Sequence, residues 1–325
     1  MPTGSYGWLR GRSSWHALKL ARPKSAHRKP AHPKLAHRGI PRHLPPHRPI
    51  PLQLPASAKV RVSQSVSNEA ILNLVRRHDP DRFLTALFAP PGRRDALLTL
   101  YAFNHELARA REVVSEPHLA LIRLQWWREV VEGTRRRHEV AGPLGAVLDA
   151  GLLRPQDLLP IVEARELETE PAIGTLDEWR AWIIAGAGGL AVAAARVLDA
   201  DDPERFRPFG AAYGIAGVLR ANRALAAAGR TLWPTDVLAA QGLSPEEAIA
   251  APGDPRIAAA GHVLAAEGKS LLHGARGAWM TRQTVAAALP GVLARHDLAR
   301  WPVTVNQRGT ADRLAVMWAG LRGRV

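Results

Sequence analysis

From Asn68 to the C-terminus, apolar residues recur at intervals of three and four, and the runs stop at Pro or Gly. That spacing lines one face of an α-helix. The first run covers Asn68 to Ala89, with Ile71, Leu72 and Val75 and then Phe83, Leu84 and Leu87 on recurring faces, closed by Pro90-Pro91. The second, Arg93 to Ser115, repeats Leu97, Leu98, Tyr101, Ala102, Leu107 and Ala108 at helical spacing and ends before Pro117. A third, His118 to His138, places Leu121, Leu124, Gln125, Trp127 and Val131 inward. Further helices are predicted over Leu144–Leu153, Gln156–Glu168, Leu176–Leu198, Pro203–Ala228, Pro255–Leu272 and Ala311–Leu321. Alternating β-branched runs are scarce, so the expected fold is all-α, with about nine or ten helices packed as one bundle over residues 67–325.

Residues 1–66 have another texture. Residues 1–60 hold twelve Lys or Arg, six of the thirteen His and ten of the twenty-six Pro, and the first carboxylate of the chain is Glu69. A segment so poor in apolar surface cannot offset its ordering entropy, and a disordered basic arm is expected. A mitochondrial transit peptide would share the Arg content, but the prolines break the amphipathic helix such signals use. A polybasic tether to lipid or nucleic acid, a His-rich metal tract, and a plain solvated extension or misassigned start are the other readings, the last being preferred.

Charge and composition then narrow the function. The formal charge of +15 comes mostly from the arm, because residues 61–325 carry 32 basic and 29 acidic side chains, a net of +3. No nucleic-acid partner is therefore expected for the folded domain. Cysteine is absent, which removes disulfides, thiolate metal sites and a cysteine nucleophile and fits a reducing compartment. The longest weakly polar run, Trp182 to Ala195, is shorter than the roughly 20 residues a bilayer span needs. The expected location is the cytoplasm, with any membrane contact peripheral at its inner face.

Three stretches carry the candidate chemistry. Tyr101-Ala102-Phe103-Asn104-His105-Glu106-Leu107-Ala108-Arg109-Ala110-Arg111-Glu112 ends the second predicted helix, and Arg123-Leu124-Gln125-Trp126-Trp127-Arg128 follows. The third is Tyr213-Gly214-Ile215-Ala216-Gly217-Val218-Leu219-Arg220, with Gly229-Arg230-Thr231-Leu232-Trp233-Pro234 after it. In order and spacing they resemble the squalene/phytoene synthase family, head-to-head isoprenoid condensing enzymes of the all-α isoprenoid synthase fold, whose helices surround a central pocket. Active members carry an Asp-x-x-x-Asp motif after Tyr-Ala-Phe and a second after the arginine of the third stretch. Ionising an allylic diphosphate requires Mg²⁺, which carboxylates at i and i+4 hold on one helix face.

Here the positions matching the first motif are Ala108 and Glu112, with Arg109 where a neighbouring aspartate often stands, and those matching the second are Ala221 and Leu225, with Arg220 kept. Methyl and isobutyl groups do not coordinate magnesium, so neither catalytic residues nor a metal site are expected. Displaced ligands would have to come from Glu106, Glu116 or the series Glu163, Glu166 and Glu170, whose bland reading is a solvated helix face beside Arg165. Asn104-x-Glu106-Leu107-Ala108, Val114-Ser115-Glu116, the Arg-Leu-Gln-Trp-Trp run and Leu219-Arg220-Ala221 resemble the non-enzymatic branch that includes the mitochondrial assembly factor for respiratory complex I. The resemblance implies a catalytically silent protein with a protein client at a membrane or an isoprenoid ligand. The alternative is a prenyl-diphosphate condensing transferase with unorthodox Mg²⁺ ligands. Arg123, Trp127, Arg128 and Arg230 are candidate ligand or partner contacts. The tryptophans Trp126, Trp127, Trp179, Trp182, Trp279, Trp301 and Trp318 are expected to be core rather than tunnel lining.

Overall fold

A computed structural model describes residues 68–325 except 113, 115, 171, 276–278 and 305–306. The basic arm expected over residues 1–66 lies outside the described residues, as does Ser115. The described part is all-α, without a strand. Its helices are α1 (68–78), α2 (Pro80–Ala86), α3 (Pro91–Glu112), α4 (Pro117–Val131), α5 (Ala141–Asp149), α6 (Pro155–Leu167) and α7 (Leu176–Val197). After a 3₁₀ turn at Pro203–Phe206 come α8 (Arg207–Ala227), α9 (Thr235–Ala239), α10 (Pro245–Ala250), α11 (Pro255–Gly274), α12 (Val285–Ala288), α13 (Pro290–Arg300) and α14 (Thr310–Arg322).

Several predicted boundaries move for identifiable reasons. The run Asn68 to Ala89 is two helices, because Pro80 disfavours helical backbone at Asp79, whose carboxylate instead caps α2 by accepting from the Arg82 N–H at 3.0 Å. The helix predicted to reach His138 stops at Val131, and Gly133 turns the chain away at φ 113°. Its inner residues are Ala120, Leu124, Trp127, Val130 and Val131, while Leu121 and Gln125 face out. The short helices α9, α10 and α12, and the longer α13, were not predicted. Two had legible starts: Ser244 and Glu247 form a capping box for α10, and Pro290 occupies the first turn of α13.

Helix α8 runs through the centre, packed against α7, α11 and α13. Its approach to α7 depends on small residues. A Cβ at Gly210 would lie 2.4 Å from the Ala187 carbonyl oxygen, and one at Gly214 would lie 2.5 Å from the Ala187 Cβ. The glycine-rich stretch of α7 is a π-helical turn, Ile184–Gly188, where Gly188 in turn meets Arg207 on α8. Among the described helices α7 is long and apolar enough to cross a membrane by length and composition, with a mean hydropathy of 1.3, but 61% of that window is buried in the bundle. Trp179 of this helix is fully buried and donates from Nε1 to the Leu232 carbonyl at 2.9 Å, so truncating it to Ala would cost about 3–5 kcal/mol.

Candidate functional site

A cleft of about 350 Å³ opens between α3, α6, α7 and α8. From α3 it receives Asn104, Ala108 and Glu112, and from α8 Tyr213, Gly217, Ala221 and Leu225, each set spaced by four and therefore on one face. Trp182, Ile183, Ala187, Val218 and Leu232 make an apolar side. Arg230 reaches the cleft because of how α8 ends. Gly229, at φ 69°, donates to the Ala226 carbonyl, and Arg230 N–H donates to the Leu225 carbonyl, each at 2.9 Å, a Schellman closure that turns the chain back along the helix.

The polar groups of the cleft are mostly committed to one another. Asp79 pairs with Arg82 at 2.8 Å, and Glu168 pairs with Arg165 at 2.7 Å. Arg165 also donates to the Asn104 Oδ1 at 3.2 Å, fixing Asn104, which is buried. Arg230 donates to the Glu168 carbonyl at 3.0 Å, and its pKa is lowered by burial and by Arg111, against the charges of Glu168 and Glu112. Glu112 itself is exposed at the rim.

Beneath the cleft lies a buried network that no local sequence pattern announced. Asp81 accepts from the Tyr213 hydroxyl at 2.9 Å, from Arg220 at 3.1 Å and from Arg308 at 2.7 Å. Arg308 also donates to Asp297 at 2.8 Å, and Arg220 Nε stands 3.4 Å from Asp297. Two carboxylates thus face two guanidiniums, with Arg82 over the Tyr213 ring at 4.8 Å. Burial alone would raise the pKa of Asp81, but hydrogen bonds and charge from Arg308, the charge of Arg220 and the Tyr213 hydroxyl hold it below the usual carboxylate range. The partners are 132, 139 and 227 residues apart from Asp81 in sequence, which is why the motifs did not reveal them.

Of the residues singled out from sequence, Asn104, Ala108, Glu112, Arg220, Ala221, Leu225 and Arg230 line the cleft. The structure does not bring Arg109, Arg123, Trp127 or Arg128 to its lining. Arg109 pairs with Glu106 at 3.2 Å, and Trp127 is buried edge-on to Phe103 at 5.5 Å. Arg128 binds Glu163 at 3.3 Å and Glu166 at 2.6 Å, joining α4 to α6, and Arg123 sits half-buried on α4. None of the other candidate ligands lines the cleft: Glu106 is buried against Arg109, while Glu116, just before α4, and Glu170, beyond the end of α6, are exposed. Of the tryptophans, Trp182 lines the cleft, Trp179 is core, and Trp279 and Trp318 are exposed rather than core. Arg82, Arg165 and Glu168 of the cleft, and Asp81, Asp297 and Arg308 beneath it, are site residues that the motifs missed.

The donor set does not fit a family-type magnesium site. Among the described residues no group of three or more His, Cys, Asp or Glu is placed to hold a metal ion. Asp79 and Glu168 are already neutralised by arginine, and the positions facing Glu112 across the cleft bear methyl and isobutyl groups.

The family signature described as squalene/phytoene synthase matches residues 75–306. The chain is 27% identical over 184 residues to NADH dehydrogenase (ubiquinone) complex I, assembly factor 6 of Homo sapiens, a match covering 54% of this chain and 55% of that protein. The same factor of Bos taurus is 24% identical over 243 residues, covering 72% of each chain. The chain thus spans about half the length of the human relative and somewhat more of the bovine one. Among solved structures, a dehydrosqualene synthase in complex with ligand superposes with a TM-score of 0.66 at 12% identity, covering 80% of this chain and 97% of that one. A squalene synthase of Alicyclobacillus acidocaldarius gives 0.57 at 17% identity, covering 73% and 94%. At such identities these two speak for the fold alone. The signature, which covers most of the chain, and the shared all-α architecture agree: this chain belongs to the squalene/phytoene synthase family.

Proposed function

We propose that the chain is a catalytically silent member of its family that works by binding, and that it assists the assembly of a membrane respiratory complex through a protein client. One observation carries the reading: at the four positions where the family's metal motifs fall, Ala108, Glu112, Ala221 and Leu225, a single carboxylate remains, and it stands at the rim. Stabilising a diphosphate leaving group requires several carboxylates converging on metal, and here the neighbouring acids are held by arginines instead. The similarity to complex I assembly factor 6 supplies the client class. The apolar side of the cleft, around Trp182, Ile183 and Val218, suits an apolar, isoprenoid-like ligand.

The test has two arms. Deleting the gene in its source cells is expected to lower the amount of assembled NADH dehydrogenase on native gels, with restoration by the wild-type chain; unchanged complex would overturn the helper role. Incubating purified protein with farnesyl or geranylgeranyl diphosphate and Mg²⁺ is expected to yield no C30 or C40 hydrocarbon. Appearance of such a product would overturn silence in favour of a condensing transferase with unorthodox ligands.

A further inference from the structure

The C-terminal helix α14 is packed the wrong way round for a helix that ends in water. Its inward face consists of Asp312, Val316, Ala319 and Gly320, mostly small, with Gly320 pressed so close to the Phe88 ring that a Cβ there would lie 2.5 Å from it. The outward face carries the large apolar side chains: Leu314, Met317, Trp318 and Leu321 are exposed by 46–67%. They sit at i, i+3, i+4 and i+7, a continuous stripe down about 12 Å of helix. Leaving such a stripe in water forgoes the stabilisation its burial would give, so it marks a surface that something covers.

The charge around the stripe identifies what. Arg313 and Arg322 flank it on the helix, and Arg324 follows. The one carboxylate of α14, Asp312, points inward, where Arg300 and His296 bind it at 2.8 Å each. Beside the C-terminal end of the helix, Met280 N–H donates to the Gly323 carbonyl at 2.9 Å, and this pairing sets Trp279, 63% exposed, next to the stripe. The Arg324 guanidinium lies 4.2 Å from the Trp279 ring centre and that of Arg322 lies 4.3 Å from the Trp318 ring centre. Arg282 adds a further cation, and residues 279–284 contain no acid. Leucine and methionine between two tryptophans, bordered by arginines and free of outward carboxylates, are complementary to the acyl–headgroup boundary of an anionic bilayer.

We propose that the outward face of α14, together with Trp279, docks the protein onto the surface of an anionic lipid bilayer, the apolar stripe entering the headgroup boundary while Arg313, Arg322 and Arg324 meet lipid phosphates. The docking depends on neither the cleft nor its ligand. Because Leu314, Met317, Trp318 and Leu321 are exposed, the stripe can be altered without disturbing the core.

The full chain and the variant L314S/M317S/W318S/L321S are to be co-sedimented with vesicles of phosphatidylcholine alone and of phosphatidylcholine mixed with phosphatidylglycerol, after circular dichroism has shown equal helicity. The wild type is expected to partition onto the mixed vesicles, and the variant to lose about tenfold or more of that partition. Replacing Arg313, Arg322 and Arg324 by Gln should weaken binding to the mixed vesicles by about fivefold per residue and leave binding to neutral ones unchanged. Brominated acyl chains should quench wild-type tryptophan fluorescence, and the W279F/W318F chain should lose that quenching. The basic residues 1–60 are present in every variant, so equal partition of wild type and quadruple variant would assign lipid binding to the arm and overturn the proposal. So would a wild-type chain that ignores vesicles but forms a dimer that the quadruple variant abolishes.

Discussion

The rim and the underside of the cleft share helix α8 and use their carboxylates in opposite ways. At the rim, α3 and α8 bring four motif positions together, and only Glu112 among them is acidic. On the underside, Asp81 and Asp297 are fully engaged by Arg220 and Arg308, with Tyr213 as a further donor to Asp81. The difference shows that the arginine retained from the family's third motif has a structural occupation here. Arg220 lines the cleft, but its charge is compensated from below. The acids beneath the cleft neutralise guanidiniums and tie α2 to the bundle, whereas Glu112 at the rim is exposed and acts through its charge on Arg230.

This contrast can be broken directly. Asp81→Asn leaves Arg308 and Arg220 short of a partner in a buried setting, and it is expected to cost about 3–5 kcal/mol, lowering the thermal midpoint by about 10 °C. Calorimetry of Asp81→Asn, Arg308→Met and the double variant Asp81→Asn/Arg308→Met should return a coupling energy of about 1–3 kcal/mol; additive losses would show that the network is not one unit. Next in size is the acid response. Since the folded pKa of Asp81 lies below its unfolded value of about 3.9, its stabilisation is complete above that value and is lost as pH falls through the lower folded one. Midpoints measured downward from pH 5 should therefore fall more steeply for the wild type than for Asp81→Asn. The smallest effect belongs to the rim: Glu112→Gln should change stability by no more than about 0.5 kcal/mol, and a larger loss in urea titrations would place Glu112 in a compensating pair after all.

Much of the architecture could be read from spacing. The long helices α3, α6, α7, α8 and α11 follow from apolar periodicity and from Pro or Gly at their limits, and the cleft positions on α3 and α8 follow from motifs whose residues are near in sequence. The break at Asp79 had a legible cause, since Pro80 disfavours helical backbone at the residue before it, and so did the Ser244 capping box. That Arg123, Trp127 and Arg128 lie away from the cleft was not legible, for a different reason. A helix exposes several faces, and their neighbourhood in sequence to the cleft residues did not say which face α4 turns toward α3 and α6. Trp279 and Trp318 could not be assigned to the surface by composition, because tryptophan is usually buried and the inward face of α14 is filled by smaller residues.

The chain by itself determined the long helices and the near-neutral balance of its folded part and, through the motifs that carry the family resemblance, the loss of the paired carboxylates, because each of these is a property of residue types at short spacing. Only the tertiary structure decided what the remaining charges do. Asp81 and Arg308 lie 227 residues apart and meet at 2.7 Å. Whether an aspartate holds a metal, caps a helix or neutralises a buried arginine depends on which distant group reaches it once water has been excluded, and that information resides in the packing of α2, α8 and α13 around one another.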